Sequence, residues 1–160
     1  MHVYGDARGT NSLYDRQGLE DGWGMDSAGG KETVALETVD GFCREHGIGR
    51  VDFVKIDTEG HEVDVLEGAR ECLRNGALRM IQFEYGGTYI DSRRLLKDVF
   101  ELTAPLDYTV FLIAPDGLIA CPRYDQRLEN FQYKNFVLLH EEEVPRVASA
   151  RAAMQRMRRS

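Results

Sequence analysis

The sequence has no apolar run that approaches the roughly 18 residues of a membrane-spanning helix. Its first residues also lack the charged and then apolar pattern of a secretory signal. Hydrophobic residues still make up 42% of the 160-residue chain, which is enough for a buried core and too many for a disordered chain. We therefore expect one folded domain of a cytoplasmic protein, without a membrane span.

Cysteine is scarce, and the three that occur, Cys43, Cys72 and Cys121, are far apart. They form no CxxC pair, and no histidine stands at metal-ligand spacing from them. This spacing argues against a zinc site or a disulfide framework and favours reduced thiols that fill the core.

Positive charge is also in short supply, with 20 Lys and Arg against 27 Asp and Glu and a net charge of −7. Nucleic-acid binding needs basic surface for phosphate contacts, so we expect no nucleic-acid partner. The exception is the basic tail. Residues 141–160 follow helical spacing and predict a C-terminal amphipathic helix, which is either solvated or a surface for a partner.

Hydrophobic patterning predicts an α/β domain over residues 1–140, in which residues 1–32 form an irregular segment punctuated by glycine. The predicted order is strand 33–37, helix 39–46 capped by Thr38, strand 51–57, helix 61–74, strand 78–83, helix 92–102, strand 108–113, hairpin strand 118–121 and strand 135–140. This order predicts a mostly parallel sheet with a reversed last strand. Strand 51–57 is apolar on both sides near its middle, which is typical of a central strand covered on both faces.

Acidic side chains follow two of these strands: Asp57 and Glu59 end the first, and Glu84 ends the second. Ligands bind at the carboxyl ends of strands in an open parallel sheet, so neighbouring strands would bring the three carboxylates to one rim. Gly60 allows a tight turn into the next helix. His61 is the candidate general base, with Asp57 or Glu59 as its carboxylate partner, because imidazole titrates near neutral pH.

Two other interpretations of this segment stay open. In the structural one, Glu59 caps the helix, Glu62 supports the cap through the helix dipole, and Asp57 bonds backbone at the strand end. In the other, a hydrolase holds a metal ion with oxygen and nitrogen ligands from Asp57, Glu59, His61 and Glu84.

A family resemblance rests on the same residues. Residues 51–69 combine a hydrophobic strand, a core signature and a V-L-x-G-A helix, and the signature reads Lys55-Ile56-Asp57-Thr58-Glu59-Gly60-His61-Glu62. Further matches are the strand at 81–84 that ends in glutamate, the upstream segment 33–42, the serine–leucine element at 11–13 and the final strands at 130–137. Over residues 10–140 the chain resembles the FkbM family of methyltransferases.

The resemblance implies a class I methyltransferase fold with a Rossmann-like sheet and S-adenosylmethionine as the cofactor. It implies O-methylation of a small-molecule or sugar hydroxyl as the reaction. It places Asp57 and Thr58 on the cofactor side of the site and Glu59, His61 and Glu84 on the acceptor side. The candidate catalytic residues are then His61, Asp57, Glu59 and Glu84.

The family's glycine-rich cofactor loop has no counterpart here, because none of the early glycines follows an apolar strand and opens a helix. We therefore expect the C-terminal part of a methyltransferase domain, lacking the N-terminal strands and binding cofactor weakly on its own. Strand 51–57 would then have an open flank, through which we expect self-association or a partner chain. A non-catalytic binding module with half the fold and a metal-dependent hydrolase remain the alternative functions.

Overall fold

The computed structural model describes residues 1–2, 11–14 and 31–148. Its strands are β1 Val54–Ile56, β2 Met80–Tyr85, β3 Tyr108–Ala114, β4 Gly117–Cys121 and β5 Lys134–His140. Its helices include α1 Val39–Glu45, α2 Glu62–Glu67, α3 Arg70–Arg74, α4 Thr88–Ser92 and α5 Leu96–Thr103, with 3₁₀ turns at Gln126–Leu128 and Glu141–Glu143. In the described ranges no helix is both long enough and apolar enough to cross a membrane.

The five strands form a sheet in the order β1–β2–β5–β3–β4. β1 and β2 are parallel, whereas β5 is antiparallel to both β2 and β3, and β4 is antiparallel to β3. The α/β class and the reversed last strand are thus confirmed, whereas the predicted mostly parallel, Rossmann-like sheet is not confirmed. The sheet is mixed and mostly antiparallel because β5 lies between β2 and β3, which run in the same direction and do not pair with each other.

The hairpin predicted near the turn at residues 115–117 is confirmed. Pro115 and Asp116 connect β3 to β4, and Gly117 begins β4 with a φ of 125° that favours glycine. The predicted strands at 108–113 and 135–140 agree with β3 and β5 to within one residue at each end. The turn residues at 115–117 and the hydrophobic pattern on either side were therefore sufficient to predict β3, β4 and β5.

The segment at residues 33–37 and the helix predicted at 92–102 differ from the structure. Residues 33–37 form no strand, and Val34 and Leu36 are exposed. The helix predicted at 92–102 begins only at Leu96, because Arg93 adopts a left-handed φ of 57° and ends α4. A backbone reversal at a single arginine leaves no signal in hydrophobic spacing.

The helix predicted at 61–74 is divided into α2 and α3 at residues 68–69. Asp40 of α1 explains the division, since its carboxylate accepts hydrogen bonds from the backbone N–H groups of Glu71 and Cys72, both at 2.9 Å. Burial would raise the pKa of Asp40, but these backbone hydrogen bonds hold it below its ordinary value. α3 is thus capped by a side chain from another helix, which local spacing cannot reveal.

The core joins the helices to the centre of the sheet. β2 buries alternate residues, Ile81, Phe83 and Tyr85, whereas β5 buries four in succession, residues 136–139. Continuous burial is typical of a strand covered on both faces, so β5 takes the central position that the sequence assigned to strand 51–57. Phe83 and Phe136 stack with ring centroids 5.7 Å apart and join the two strands.

The C-terminal tail starts with the 3₁₀ turn Glu141–Glu143, and residues 144–148 are α-helical, as predicted for this part of the tail. Arg79 anchors this turn, since its Nε donates to Glu143 at 3.0 Å and its Nη1 to the carbonyl of Gly76 at 3.3 Å. Residues 149–160, which carry most of the predicted amphipathic helix, lie outside the described residues. The same holds for residues 3–10 and 15–30 of the irregular N-terminal segment.

β1 is an edge strand, because within the described residues it pairs with β2 alone. This position differs from the predicted central strand covered on both faces. Lys55 is exposed, and Phe53, just before β1, is 53% exposed. An open flank is therefore present in the described part of the chain, and association through it remains a prediction.

If β1 mediates association between chains, Phe53→Lys should lower the average mass in solution, because charge at an edge disfavours strand pairing. Light scattering over a concentration series measures that mass. Phe42→Lys is the matched control, since Phe42 is 46% exposed on α1, and it should leave the mass unchanged. A wild-type chain that stays a monodisperse monomer would contradict the prediction.

Candidate active site

The parallel register of β1 and β2 brings their carboxyl ends together. Ile56 pairs with Phe83, so Asp57 and Glu84 follow at neighbouring positions. Carboxylate oxygens of Asp57, Glu59 and Glu84 lie within 4.8 Å of one another, and we call these three residues the acidic cluster. The predicted meeting of three carboxylates at one rim is therefore confirmed.

The acidic cluster concentrates negative charge. Burial raises the pKa of Glu84, and the charges of Asp57, Glu59 and Glu62 raise it further. Lys55 offsets part of this repulsion, because its Nζ lies 2.6 Å from Oδ2 of Asp57. Asp57 therefore bonds a lysine, where the structural interpretation expected a backbone contact. A cationic group would be stabilised beside such a cluster.

A buried glutamate holds the turn between β1 and α2. Glu62 is 1% exposed, and its carboxylate accepts hydrogen bonds from the backbone N–H groups of Thr58 at 2.8 Å and Gly60 at 3.1 Å. The turn requires left-handed backbone conformations at two successive residues, because Glu59 has a φ of 53° and Gly60 a φ of 103°. A Cβ atom at Gly60 would lie only 2.7 Å from the carbonyl oxygen of Thr88. Sequence spacing placed Glu62 at a helix terminus and gave no sign of its role in this turn.

The N-terminal segment contacts the turn through Ser12. This serine is 2% exposed, and its hydroxyl donates to the carbonyl oxygen of Glu59 at 2.8 Å. The backbone N–H of Tyr14 donates in turn to the Ser12 hydroxyl at 3.2 Å. The serine–leucine element at 11–13 is thus in direct contact with the signature that follows β1.

His61 contacts Tyr14 and Asp64, where the sequence suggested Asp57 or Glu59. The hydroxyl oxygen of Tyr14 is 2.9 Å from Nδ1 of His61 and 3.2 Å from Oδ2 of Asp64. His61 also stands at the N-cap of α2, where its side chain makes no capping hydrogen bond. Spacing could have found Asp64, which is three residues on in the helix. No local signal identifies Tyr14, which is 47 residues away in sequence.

An open cleft of about 480 Å³ lies beside His61, within the size range of small-molecule sites. Thr58, His61 and Asp64 contribute polar groups to its wall. The remaining lining is mostly apolar and consists of Met1, Asn11, Ser12, Leu13, Val34, Leu36, Glu37, Thr38, Val39, Val65 and Gly68. The structure therefore divides the predicted site: three carboxylates form the acidic cluster, whereas Thr58 and His61 line the cleft.

Comparison with known proteins supports the family resemblance that was based on the signature at residues 55–62. The family model of the methyltransferase FkbM domain matches residues 2–110, which contain the acidic cluster, the turn and His61. A search of curated proteins and a search of solved structures each gave no match. The matched region begins at residue 2 and ends within β3, whereas the resemblance noted from the sequence extended to residue 140.

Glu62→Gln should lower the free energy of unfolding by about 2 kcal/mol, because the amide cannot accept the hydrogen bonds of Thr58 and Gly60 as the carboxylate does. Denaturant unfolding measures the change. Glu45→Gln removes the same charge at an exposed position of α1 and should change stability by less than about 0.5 kcal/mol. Equal stability of the two variants would show that the turn does not depend on Glu62.

Glu84→Gln should have the opposite effect. Folding raises the pKa of Glu84 above its ordinary value of 4.5, so the ionised side chain destabilises the fold when the pH exceeds the raised pKa. Below 4.5 the folded and unfolded chains both hold the proton, and the penalty vanishes. The variant should therefore melt at a higher temperature than wild type at pH 7.5. That gain should fade as the pH falls towards 4.5.

Glu45→Gln is again the control, and its melting temperature should follow that of wild type throughout the titration. A Glu84→Gln variant that is less stable than wild type at pH 7.5 would contradict the repulsion assigned to the acidic cluster.

Proposed function

We propose that this chain, which belongs to the methyltransferase FkbM domain family, transfers a methyl group from S-adenosylmethionine to a hydroxyl of a small or sugar-like molecule. Family membership supports methyl transfer in general, while the donor and the hydroxyl acceptor are the proposed part. The observation that carries the proposal is the position of His61. His61 lines a cleft of ligand size, and it follows Asp57 and Glu59 of the acidic cluster in the segment after β1.

His61 supplies the base that methylation of a hydroxyl needs. The hydroxyl oxygen forms a bond to the methyl carbon, and the bond from that carbon to sulfur breaks with its electron pair on sulfur. The hydroxyl proton leaves as the new bond forms, and Nε2 of His61 accepts it. Nδ1 is held by Tyr14, whereas Nε2 has no hydrogen-bond partner among the described residues and is available to an acceptor in the cleft.

S-adenosylmethionine, when bound, supplies a methyl group on a positively charged sulfur. The residues present fit such a donor, because the acidic cluster offers negative charge beside Thr58, whose side chain lines the cleft. We infer that Asp57 and Thr58 hold the methionine end of the donor. Glu59 and Glu84 then bind polar groups of the acceptor. Burial and then the neighbouring charges raise the pKa of Glu84, and a cation at this rim would offset the contribution of those charges.

Two other functions are outcomes of the same test. A metal-dependent hydrolase would use the acidic cluster for oxygen ligands, but His61 is not among the residues whose ligand atoms come together there, which favours a base over a metal ligand. A non-catalytic binding module would keep the cleft without turnover. The experiment therefore has to separate methyl transfer, metal binding and ligand binding.

The test measures transfer of an isotopically labelled methyl group from S-adenosylmethionine to a panel of sugars, polyols and phenols. His61→Ala should lower turnover by at least about a hundredfold, since it removes the general base. Asp57→Asn should weaken donor binding and lower turnover. The matched controls are His46→Ala and Asp52→Asn, which change an exposed histidine and an exposed aspartate and should retain turnover.

Thermal unfolding of all four variants shows whether lost turnover reflects lost fold. Loss of stability equal to the loss of turnover would favour the structural interpretation of the signature. A melting temperature raised by several degrees with divalent metal, without methyl transfer, would favour the hydrolase. Ligand binding without any turnover would favour the binding module.

Calorimetry with S-adenosylhomocysteine measures cofactor binding separately from turnover. Because no glycine-rich cofactor loop is recognisable in the sequence, we expect a Kd of about 100 μM or weaker. A Kd in the low micromolar range would contradict the expectation drawn from the absent loop, and it would strengthen the proposed use of this donor.

A further inference from the structure

A chain of polar contacts runs from the cleft through His61 to an ion pair. Nδ1 of His61 is 2.9 Å from the hydroxyl oxygen of Tyr14, which is 3.2 Å from Oδ2 of Asp64. Oδ1 of Asp64 accepts a hydrogen bond from Arg94, which also donates to Glu67 at 3.2 Å. The side chains of His61 and Asp64 are 25% and 24% exposed, so the contacts are largely shielded from water.

The carboxylate of Asp64 determines which way these hydrogen bonds run. Burial alone would raise its pKa, but the hydrogen bond and charge of Arg94 hold the pKa of Asp64 below its ordinary value. Asp64 is therefore ionised at neutral pH, and an ionised carboxylate can only accept hydrogen bonds. Burial and the Asp64 charge raise the pKa of Tyr14 to about 12, so this phenol keeps its proton.

A tyrosine hydroxyl has one proton to donate. In this arrangement Tyr14 donates it to Asp64, and its oxygen is left to accept from Nδ1 of His61. The opposite arrangement, with Tyr14 donating to Nδ1, would leave Oδ2 of Asp64 without this donor. A direct bond between His61 and Asp64 does not replace it, because Nδ1 and Oδ2 are 3.5 Å apart.

We propose that Tyr14 and Asp64 are positioning residues that hold neutral His61 as its Nδ1–H tautomer, so that Nε2 presents an unprotonated lone pair to the cleft. The proton sits on the nitrogen that faces Tyr14, and the free nitrogen is the one that a base needs. The tautomer follows from the contacts alone, whereas its use in removing a hydroxyl proton rests on the proposed function.

Arg94 keeps this arrangement in place from another part of the fold. It follows the left-handed Arg93 that ends α4, and its guanidinium bridges Asp64 and Glu67 on α2. Asp64 is thus fixed on one oxygen by Arg94 and on the other by Tyr14. A carboxylate held at both oxygens presents its acceptor in one direction, which is what tautomer selection requires.

The experiment is nitrogen NMR of the histidine side chains at pH 8.5, where an ordinary histidine is neutral. The protonated and the unprotonated ring nitrogen resonate far apart, and His61→Gln identifies the His61 signals. In the wild-type chain Nδ1 should be the protonated nitrogen. Tyr14→Phe removes only the hydroxyl, and it should lower the population of the Nδ1–H tautomer severalfold. Tyr124→Phe removes a hydroxyl elsewhere in the fold and should leave the His61 signals unchanged.

Protonation at Nε2 in the wild-type chain would overturn the proposal, and so would a tautomer population unaffected by Tyr14→Phe. The wild-type measurement decides by itself if Tyr14→Phe does not fold. With an active chain, Tyr14→Phe should lower kcat by at least about tenfold and leave KM within about twofold. An unchanged kcat would also count against the positioning role.

The proposed tautomer of His61 and the proposed methyl transfer can be contradicted independently of each other. The expected Nδ1–H tautomer in a chain without methyl transfer would support the positioning contacts and count against the proposed function. Methyl transfer that depends on His61 but proceeds with Nε2 protonated in the resting chain would support the function and overturn the positioning.

Discussion

Glu62 places a carboxylate under the backbone of the turn that follows β1, and the arrangement of the site depends on it. The turn contains two successive residues with positive φ, and a non-glycine residue in that region costs about 1 to 3 kcal/mol. The N–H groups of Thr58 and Gly60 find their acceptor in this one side chain. With the turn held in this form, Asp57 and Glu59 join Glu84 of β2 in the acidic cluster, and His61 lines the cleft.

The sheet adds the second constraint. Among the strands that the structure describes, β1 and β2 are the parallel neighbours, and their register sets Glu84 beside the end of β1. The acidic cluster is therefore a property of this parallel pair, while the buried core is built from the helices together with β2, β3 and β5. Burial and the neighbouring carboxylates raise the pKa of Glu84, and such a perturbed group is typical of a site whose charges serve a ligand.

Sequence reasoning was most successful where the determining residues are neighbours in the chain. It placed the Thr38 cap, the β3–β4 hairpin, the reversed last strand and the meeting of Asp57, Glu59 and Glu84. It failed where the partner lies far along the chain or in the backbone. Asp40 divides a predicted helix from 31 residues away, and Arg93 ends another through a left-handed φ. The insertion of β5 beside β2 likewise depends on tertiary packing, which spacing does not encode.

The contact between the N-terminal segment and the signature has a thermodynamic consequence. Residues 11–13 and the segment from Thr58 to Gly68 form facing parts of one cleft, and Ser12 and Tyr14 join them through hydrogen bonds. A ligand that touches both parts binds only when they are docked, so its binding free energy adds to the free energy of docking. Occupancy of the cleft and attachment of the N-terminal segment are therefore linked equilibria, and each shifts the other by the same factor.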